Sequence, residues 1–125
     1  MEPEAAKVVR LVDAAMAEIA DPSLAQALRA CLVSPARVLL RWDYGHPHPE
    51  FAEPCYPAFI VAVLGETRTG IAYSEYGFGP GAPWGLVWLD RLGYGMDSGW
   101  YRTLEGAFRE SMLWDEPPPP GYEVD

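Results

Sequence analysis

The chain has 125 residues, half of them apolar, and carries a net charge of −9. A chain of this length builds one folded domain with a sizeable core and needs no disulfide framework. Its acidic balance repels nucleic acid and anionic lipid, so we exclude both as partners. The longest apolar run, Ala58 to Gly65, is much shorter than the ~20 residues of a membrane span, and no signal peptide is recognisable. We therefore expect a cytoplasmic protein.

The charge is distributed unevenly along the chain. Residues 1–41 hold five basic and five acidic side chains, whereas residues 42–125 hold four basic and thirteen acidic ones. A surface of this sign favours association with a basic partner. One lysine stands against eight arginines among many alanine, glycine and proline residues, which is typical of a GC-rich bacterial genome.

The first segments predict an antiparallel helical hairpin. Apolar residues recur at the helical period between Val8 and Ile19, which predicts helix 1 from about Pro3 to Ala20. Asp21-Pro22-Ser23 supplies an N-cap and a proline at the first position of helix 2, and Ser34-Pro35 ends that helix. Because the connection is short, the two helices lie side by side.

Four strands are predicted after the hairpin. In strand 1 the period changes to two, so that Val38 and Leu40 share one side while Arg37 and Arg41 share the other. The later strands span Ala58 to Leu64, Ile71 to Phe78, and Trp84 to Leu89. Their short connections suit an antiparallel meander.

Strands 2 and 4 are apolar on both sides, so each face of the sheet needs a cover. The helical hairpin covers one face. A third helix beginning after Thr103 is the predicted cover for the other face or its edge, and a homodimer contact is the alternative. The predicted fold is therefore α+β, with the hairpin on a four-stranded antiparallel meander sheet and a C-terminal helix. Residues 1–116 form this domain, and the proline-rich tail 117–125 lies beyond it.

One loop contains several side chains of metal-ligating type: Asp43, His46, His48, Glu50 and Cys55. Structural zinc sites usually draw paired ligands from two separate elements, and no second His or Cys cluster follows in the sequence. We therefore predict no metal, no cofactor and no catalytic residue. A nucleophilic pair of Cys55 with either histidine is an alternative that requires their contact in space.

Aromatic rings, glycines and acidic residues alternate between Tyr73 and Tyr101. Interfaces favour tyrosine and tryptophan anchors, and surrounding carboxylates select a basic partner. The predicted partner-binding residues are Glu75, Asp90, Tyr94, Asp97 and Trp100. For the rings at 94–101, a place in the core is the alternative interpretation.

These features favour a non-enzymatic, acidic domain that binds a basic protein. In size, acidity and aromatic content the chain resembles small bacterial immunity or antitoxin proteins, which block a toxin's substrate site; this is a resemblance of class and assigns no residue. Two alternatives stay open. One is a small enzyme or ligand binder, for example of sugars, that uses the loop from His46 to Cys55 and the aromatic strands. The other is a homo-oligomer without small-molecule activity.

Overall fold

The computed structural model describes residues 3–41, 55–75, 81–90, 99–114 and 116. Helix α1 spans Pro3–Ala17 and helix α2 spans Pro22–Cys31. Five strands follow: β1 (Leu32–Arg41), β2 (Cys55–Val63), β3 (Thr69–Tyr73), β4 (Trp84–Trp88) and β5 (Trp100–Tyr101). Helix α3 (Leu104–Arg109) is the last described element. The mixed α+β class predicted from the sequence is confirmed.

Helices α1 and α2 form because each has an apolar stripe and α2 has a defined start. Both pack on the sheet, but α1 packs more closely against α3 than against α2, so the predicted side-by-side hairpin is not what the structure shows. Val8, Val12 and Met16 on α1 are buried, as are Leu24 and Leu28 on α2. The Asp21 carboxylate accepts hydrogen bonds from the backbone N–H groups of Ser23 and Leu24, at 3.0 and 3.3 Å. An N-cap of this kind satisfies donors that the first helical turn leaves unpaired.

The end of α2 differs from the prediction. The helix stops at Cys31, and β1 begins at Leu32 and includes Ser34 and Pro35. Proline is tolerated here because β1 is an edge strand of the sheet, where not every N–H needs a partner. The β1 to β2 register shifts between Leu32 and Ala36, the stretch that contains this proline.

The five strands form one antiparallel sheet in the order β1-β2-β3-β4-β5. The meander was correctly predicted, but with four strands. β5 was missed because it has only two residues, Trp100 and Tyr101, too few to give an alternating pattern.

The two faces of the sheet carry separate apolar clusters. We call the face under α1, α2 and α3 the helical face; its strands contribute Phe59, Val61, Ile71, Trp84 and Leu86. The other side, which we call the opposite face, carries a second buried cluster: Leu40, Tyr56, Ala58, Ile60, Ala72, Val87 and Trp100.

The position of α3 corrects one expectation. Leu104, Ala107 and Phe108 of α3 join the same cluster as α1 and α2, so α3 covers the helical face and not the opposite one. The predicted N-cap is confirmed, since Thr103 Oγ1 accepts a hydrogen bond from the Gly106 N–H at 2.9 Å. The opposite-face cluster is already buried within one copy of the chain, so no dimer contact is needed to bury it.

Candidate functional site

The strand register aligns one side chain from each strand in a row across the helical face. The row consists of Arg37, Phe59, Tyr73, Trp84 and Tyr101, each directly opposite its neighbour in the adjacent strand. The rings of Tyr73 and Trp84 are in contact, with centroids 5.0 Å apart and planes inclined by 60°. Four aromatic side chains thus lie side by side; Phe59 and Trp84 are buried under the helices, and Tyr73 and Tyr101 are half-buried.

Helix α1 runs along this row. One flank of the helix carries Glu4, Lys7, Ala15 and Glu18, which recur at helical spacing beside the buried stripe. Residues from the start of α1 line a cleft over Phe59 and Tyr73, and residues from its end line a second cleft over Trp84.

The first of these, the N-terminal cleft, has a volume of about 250 Å³. Its apolar walls are Val8, Pro57, Phe59 and Tyr73, and its polar lining is Glu4, Lys7, Ser74 and Glu75. Lys7 Nζ lies 3.4 Å from Glu75 Oε2, with both side chains substantially exposed. The Ser74 hydroxyl donates a hydrogen bond to the Pro57 carbonyl oxygen at 2.9 Å, which joins β2 to the end of β3.

The second, the C-terminal cleft, has a volume of about 170 Å³. Its charged residues are Glu18, Arg102 and Glu105, and Trp84 and Leu104 supply apolar walls. Glu105 Oε2 accepts a hydrogen bond from Arg109 Nε at 2.9 Å, so this carboxylate is engaged within α3.

Together the clefts are acidic. Their charged lining comprises four glutamates, one lysine and one arginine. Within the described part of the chain, no ion pair or side-chain hydrogen bond involves Glu4 or Glu18. Both of these side chains are exposed, so each cleft has one carboxylate that is available to a cationic group.

The tyrosine at the far end of the row is held in its neutral form. Burial raises the pKa of Tyr101, and the nearby Glu110 carboxylate raises it further. Tyr101 therefore acts as an uncharged, partly buried ring at physiological pH.

The structure separates two of the predicted partner-binding residues. Glu75 follows β3 at the end where Tyr73 lies opposite Trp84, and it lines the N-terminal cleft. Asp90 is exposed and follows β4 at the other end of the same ladder, about eight strand positions away or roughly 27 Å. These two acids do not belong to one patch. Tyr94 and Asp97 lie outside the described residues.

Trp100 belongs to the core. It is 7 % exposed and packs in the opposite-face cluster, so its ring does not stand on the surface as a contact for a partner. Its position on the side away from the two clefts also removes it from the candidate site.

The loop that contains side chains of metal-ligating type forms no metal site among the described residues. Asp43, His46, His48 and Glu50 lie outside them, and within them no group of three or more His, Cys, Asp or Glu side chains comes together. Cys55 begins β2 opposite Arg41, is a free thiol, and lines neither cleft.

The sequence did not single out Glu4, Lys7 and Glu18 as site residues, because they lie off the apolar stripe of α1, where charged side chains usually face solvent. The usable signal was their spacing along one flank next to the apolar stripe. That signal alone did not reveal which side of α1 borders the aromatic row, since this depends on strand register.

No known protein family, curated protein or solved structure matches this chain. None of the helices that the structure describes is long and apolar enough to cross a bilayer.

Proposed function

We propose that this chain is a non-enzymatic protein-binding domain that neutralises a basic partner, in the manner of an immunity or inhibitor protein. The observation that carries the proposal is the pair of acidic clefts set on aromatic walls along one flank of α1. The proposal keeps Glu75 from the predicted set and adds Glu4 and Glu18 in place of Trp100.

The size of the clefts favours single side chains over cofactors. Ligand pockets for small molecules usually measure roughly 300–1,000 Å³. At about 250 and 170 Å³, both clefts fall below that range. A lysine or arginine side chain of a partner fits this scale, and its aliphatic stem would lie against the rings.

The chemistry of the N-terminal cleft matches such a side chain. A guanidinium or ammonium group at this position meets the carboxylates of Glu4 and Glu75 beside the ring of Tyr73. Glu75 is already ion-paired with Lys7, but an exposed ion pair of this kind contributes only ~0–1 kcal/mol to stability. A partner cation can therefore replace Lys7 at Glu75 with little loss.

Net charge adds a kinetic argument. The electrostatic field of a chain with a net charge of −9 accelerates the approach of a basic protein and repels polyanions. Fast, steered association is what an inhibitor needs when its target must be blocked as soon as it appears.

The proposal is tested by affinity capture from the native host with a tagged chain, followed by binding kinetics on the protein recovered. The cleft variant combines Glu4→Gln with Glu75→Gln. The matched control combines Glu66→Gln with Glu116→Gln, which removes the same charge from exposed residues that line neither cleft.

We expect a basic partner whose association slows as salt rises, and whose affinity falls at least tenfold with the cleft variant but little with the control. Equal affinity for the two variants, or association that is indifferent to salt, overturns the proposal. Recovery of small molecules alone favours the ligand-binding alternative, for which Tyr73 and the carboxylates of the N-terminal cleft offer a ring and hydrogen-bond acceptors suited to a sugar.

A further inference from the structure

Strand β1 has an outer edge that pairs with no other strand in the described part of the chain. The sheet order places β1 at one end, with β2 as its strand neighbour. From Ala36 to Arg41 the register with β2 is regular, so these residues form an uninterrupted run. An edge strand presents backbone N–H and C=O groups with which another extended chain can pair. At the other end of the sheet, β5 has only two residues, too few for a comparable contact.

The exposed side chains of this run give the edge a definite chemistry. Arg37, Leu39 and Arg41 lie at alternate positions in the regular register and therefore share one face of the strand. All three are exposed, and Leu39 is 54 % exposed. Val38 and Leu40 point the other way and pack in the opposite-face cluster, which fixes the orientation of the strand. The edge thus presents an apolar side chain between two guanidinium groups.

The charge of this run disfavours self-pairing and favours an acidic partner. Strand β1 contains two arginines and no acidic residue, although the whole chain carries a net charge of −9. If two copies paired antiparallel about Leu39, Arg37 of one copy would lie opposite Arg41 of the other, and like charges directly opposite are destabilising. Carboxylates in those positions stabilise the pairing instead. At 0.1 M salt the Debye length is ~10 Å, so exposed charges beyond that distance contribute little.

We propose that the outer edge of β1 binds an extended acidic segment of a partner protein, which pairs with residues 36–41 as an added strand. Main-chain hydrogen bonds supply the affinity in this mode of recognition, and alternate side chains supply the specificity. The segment carries an acidic, an apolar and an acidic residue at positions j, j+2 and j+4. Its carboxylates then meet Arg37 and Arg41, and its apolar group meets Leu39. The pattern reads the same in both chain directions, so it serves a parallel or an antiparallel partner.

This surface is distinct from the two acidic clefts. Arg37, Leu39 and Arg41 line neither cleft, and the edge takes a ligand of the opposite charge. The inference therefore goes beyond the proposed function and does not rest on it.

The experiment titrates synthetic peptides into the full chain at about 0.1 M salt and measures binding calorimetrically. The matching peptide is Thr-Glu-Thr-Val-Thr-Glu-Thr. A control peptide of the same composition, Thr-Glu-Thr-Val-Glu-Thr-Thr, turns the second glutamate to the other side of the extended chain. A third peptide replaces both glutamates of the matching peptide with lysine. We expect the matching peptide to bind at least fivefold more tightly than either control and to slow hydrogen exchange of the backbone amides between Ala36 and Arg41.

Variants of Arg37 test whether the peptide lies at this edge. Arg37→Gln should lower the affinity for the matching peptide at least threefold, and Arg37→Glu should make the lysine peptide the better ligand. Arg68→Gln is the matched control, because Arg68 is an exposed arginine in the turn between β2 and β3 and lies outside β1. It should leave the binding of all three peptides unchanged.

Equal binding of the matching and control peptides overturns the inference, as does binding that Arg37→Gln and Arg68→Gln weaken equally. Failure of every peptide to bind at millimolar concentration also overturns it. A dimer of the chain, seen by sedimentation, that protects the same amides assigns the edge to a second copy instead. None of these outcomes bears on the acidic clefts, which Glu4→Gln and Glu75→Gln test separately with the captured basic partner.

Discussion

At the scale of single residues, the contact between Trp100 and Gly85 fixes how β4 and β5 pack on the opposite face. The two residues are partners in the β4 to β5 register. A Cβ atom at residue 85 would lie 2.5 Å from carbon atoms of the indole, closer than any ordinary contact. The absence of a side chain at Gly85 is therefore what allows the ring to lie against β4.

Gly85→Ala should destabilise the protein by about 1–3 kcal/mol, because the ring or the strand must move to admit the methyl group. The measurement is the free energy of unfolding in urea. Gly81→Ala is the matched control, since nothing lies within 4 Å of a Cβ at that position. A loss below about 0.5 kcal/mol at residue 85, or an equal loss at residue 81, would contradict this packing of Trp100 against Gly85.

The raised pKa of Tyr101 predicts a loss of stability in alkali. In the unfolded chain this phenol loses its proton near its ordinary pKa of 10.0, whereas the folded protein holds the proton to higher pH. The unfolded state then binds fewer protons than the folded state, so stability is complete below pH ~10 and falls as the pH rises above it.

Tyr101→Phe removes this dependence and leaves the ring in place. We expect the difference in unfolding midpoint between pH 8 and pH 10.5 to be smaller in the variant than in the unsubstituted chain. The other tyrosines titrate in both proteins and cancel in the comparison. Identical pH dependence in the two proteins would show that Tyr101 is not held neutral by burial and Glu110.

Prediction of single residues from the sequence succeeded where apolar and polar side chains followed one regular repeat. Val38 and Leu40 lie together in the opposite-face cluster, as the alternation of β1 predicts. It failed to settle Trp100, because an aromatic residue between glycines is equally compatible with a surface anchor and with a core ring. The deciding fact is its register partner Gly85, which depends on how two separate strands pair.

At the scale of elements, Asp21 connects the start of α2 to α3. Its carboxylate caps α2, and Oδ2 also lies 3.8 Å from Nη2 of Arg109, whose side chain is only 6 % exposed. Asp21 therefore both caps α2 and pairs with Arg109, and substitutions can separate these two roles.

Asp21→Ala should cost about 1–2 kcal/mol of unfolding free energy, since it removes the cap. Asp21→Asn keeps an acceptor oxygen for the cap but loses the charge, and should cost less than about 0.5 kcal/mol because Arg109 retains Glu105. Both values come from urea unfolding at neutral pH. Equal losses in the two variants would mean that the ion pair with α3, and not the cap of α2, is the main contribution of Asp21 to stability.

Elements were predictable where local chemistry defines them. The caps at Asp21 and Thr103 predicted the starts of α2 and α3, since capping depends on residues within one turn. The face that α3 covers was not predictable, because its apolar stripe fits either side of a sheet with two apolar faces. In the structure α3 begins shortly after the two-residue β5 and packs on the helical face.

At the scale of the whole molecule, the net charge and the described fold involve largely different residues. The described residues contain eight basic and ten acidic side chains, so most of the net −9 belongs to the rest of the chain. The sequence predicted the sign of the surface and the presence of rings. It did not predict the two acidic clefts, because Glu4 and Glu18 become neighbours of Tyr73 and Trp84 only after α1 lies along the aromatic row.

This charge predicts that salt stabilises the protein. Self-repulsion of a net charge of −9 opposes the compact state, and raising the ionic strength from 0.01 to 0.1 M shortens the Debye length from ~30 to ~10 Å. Exposed ion pairs such as Lys7 with Glu75 weaken at the same time, but each contributes only ~0–1 kcal/mol. We therefore expect the unfolding free energy to rise modestly with sodium chloride over this range.

The same salt must slow the association of a basic partner, since screening weakens the field that steers it. Stability and association rate should thus respond to salt with opposite signs, a combination that neither non-specific salt effects on folding nor a purely apolar interface would produce. Urea unfolding and stopped-flow binding in identical buffers test both signs. If stability falls with salt, local ion pairs outweigh the net repulsion. If association does not slow, the acidic field does not guide the partner to the clefts.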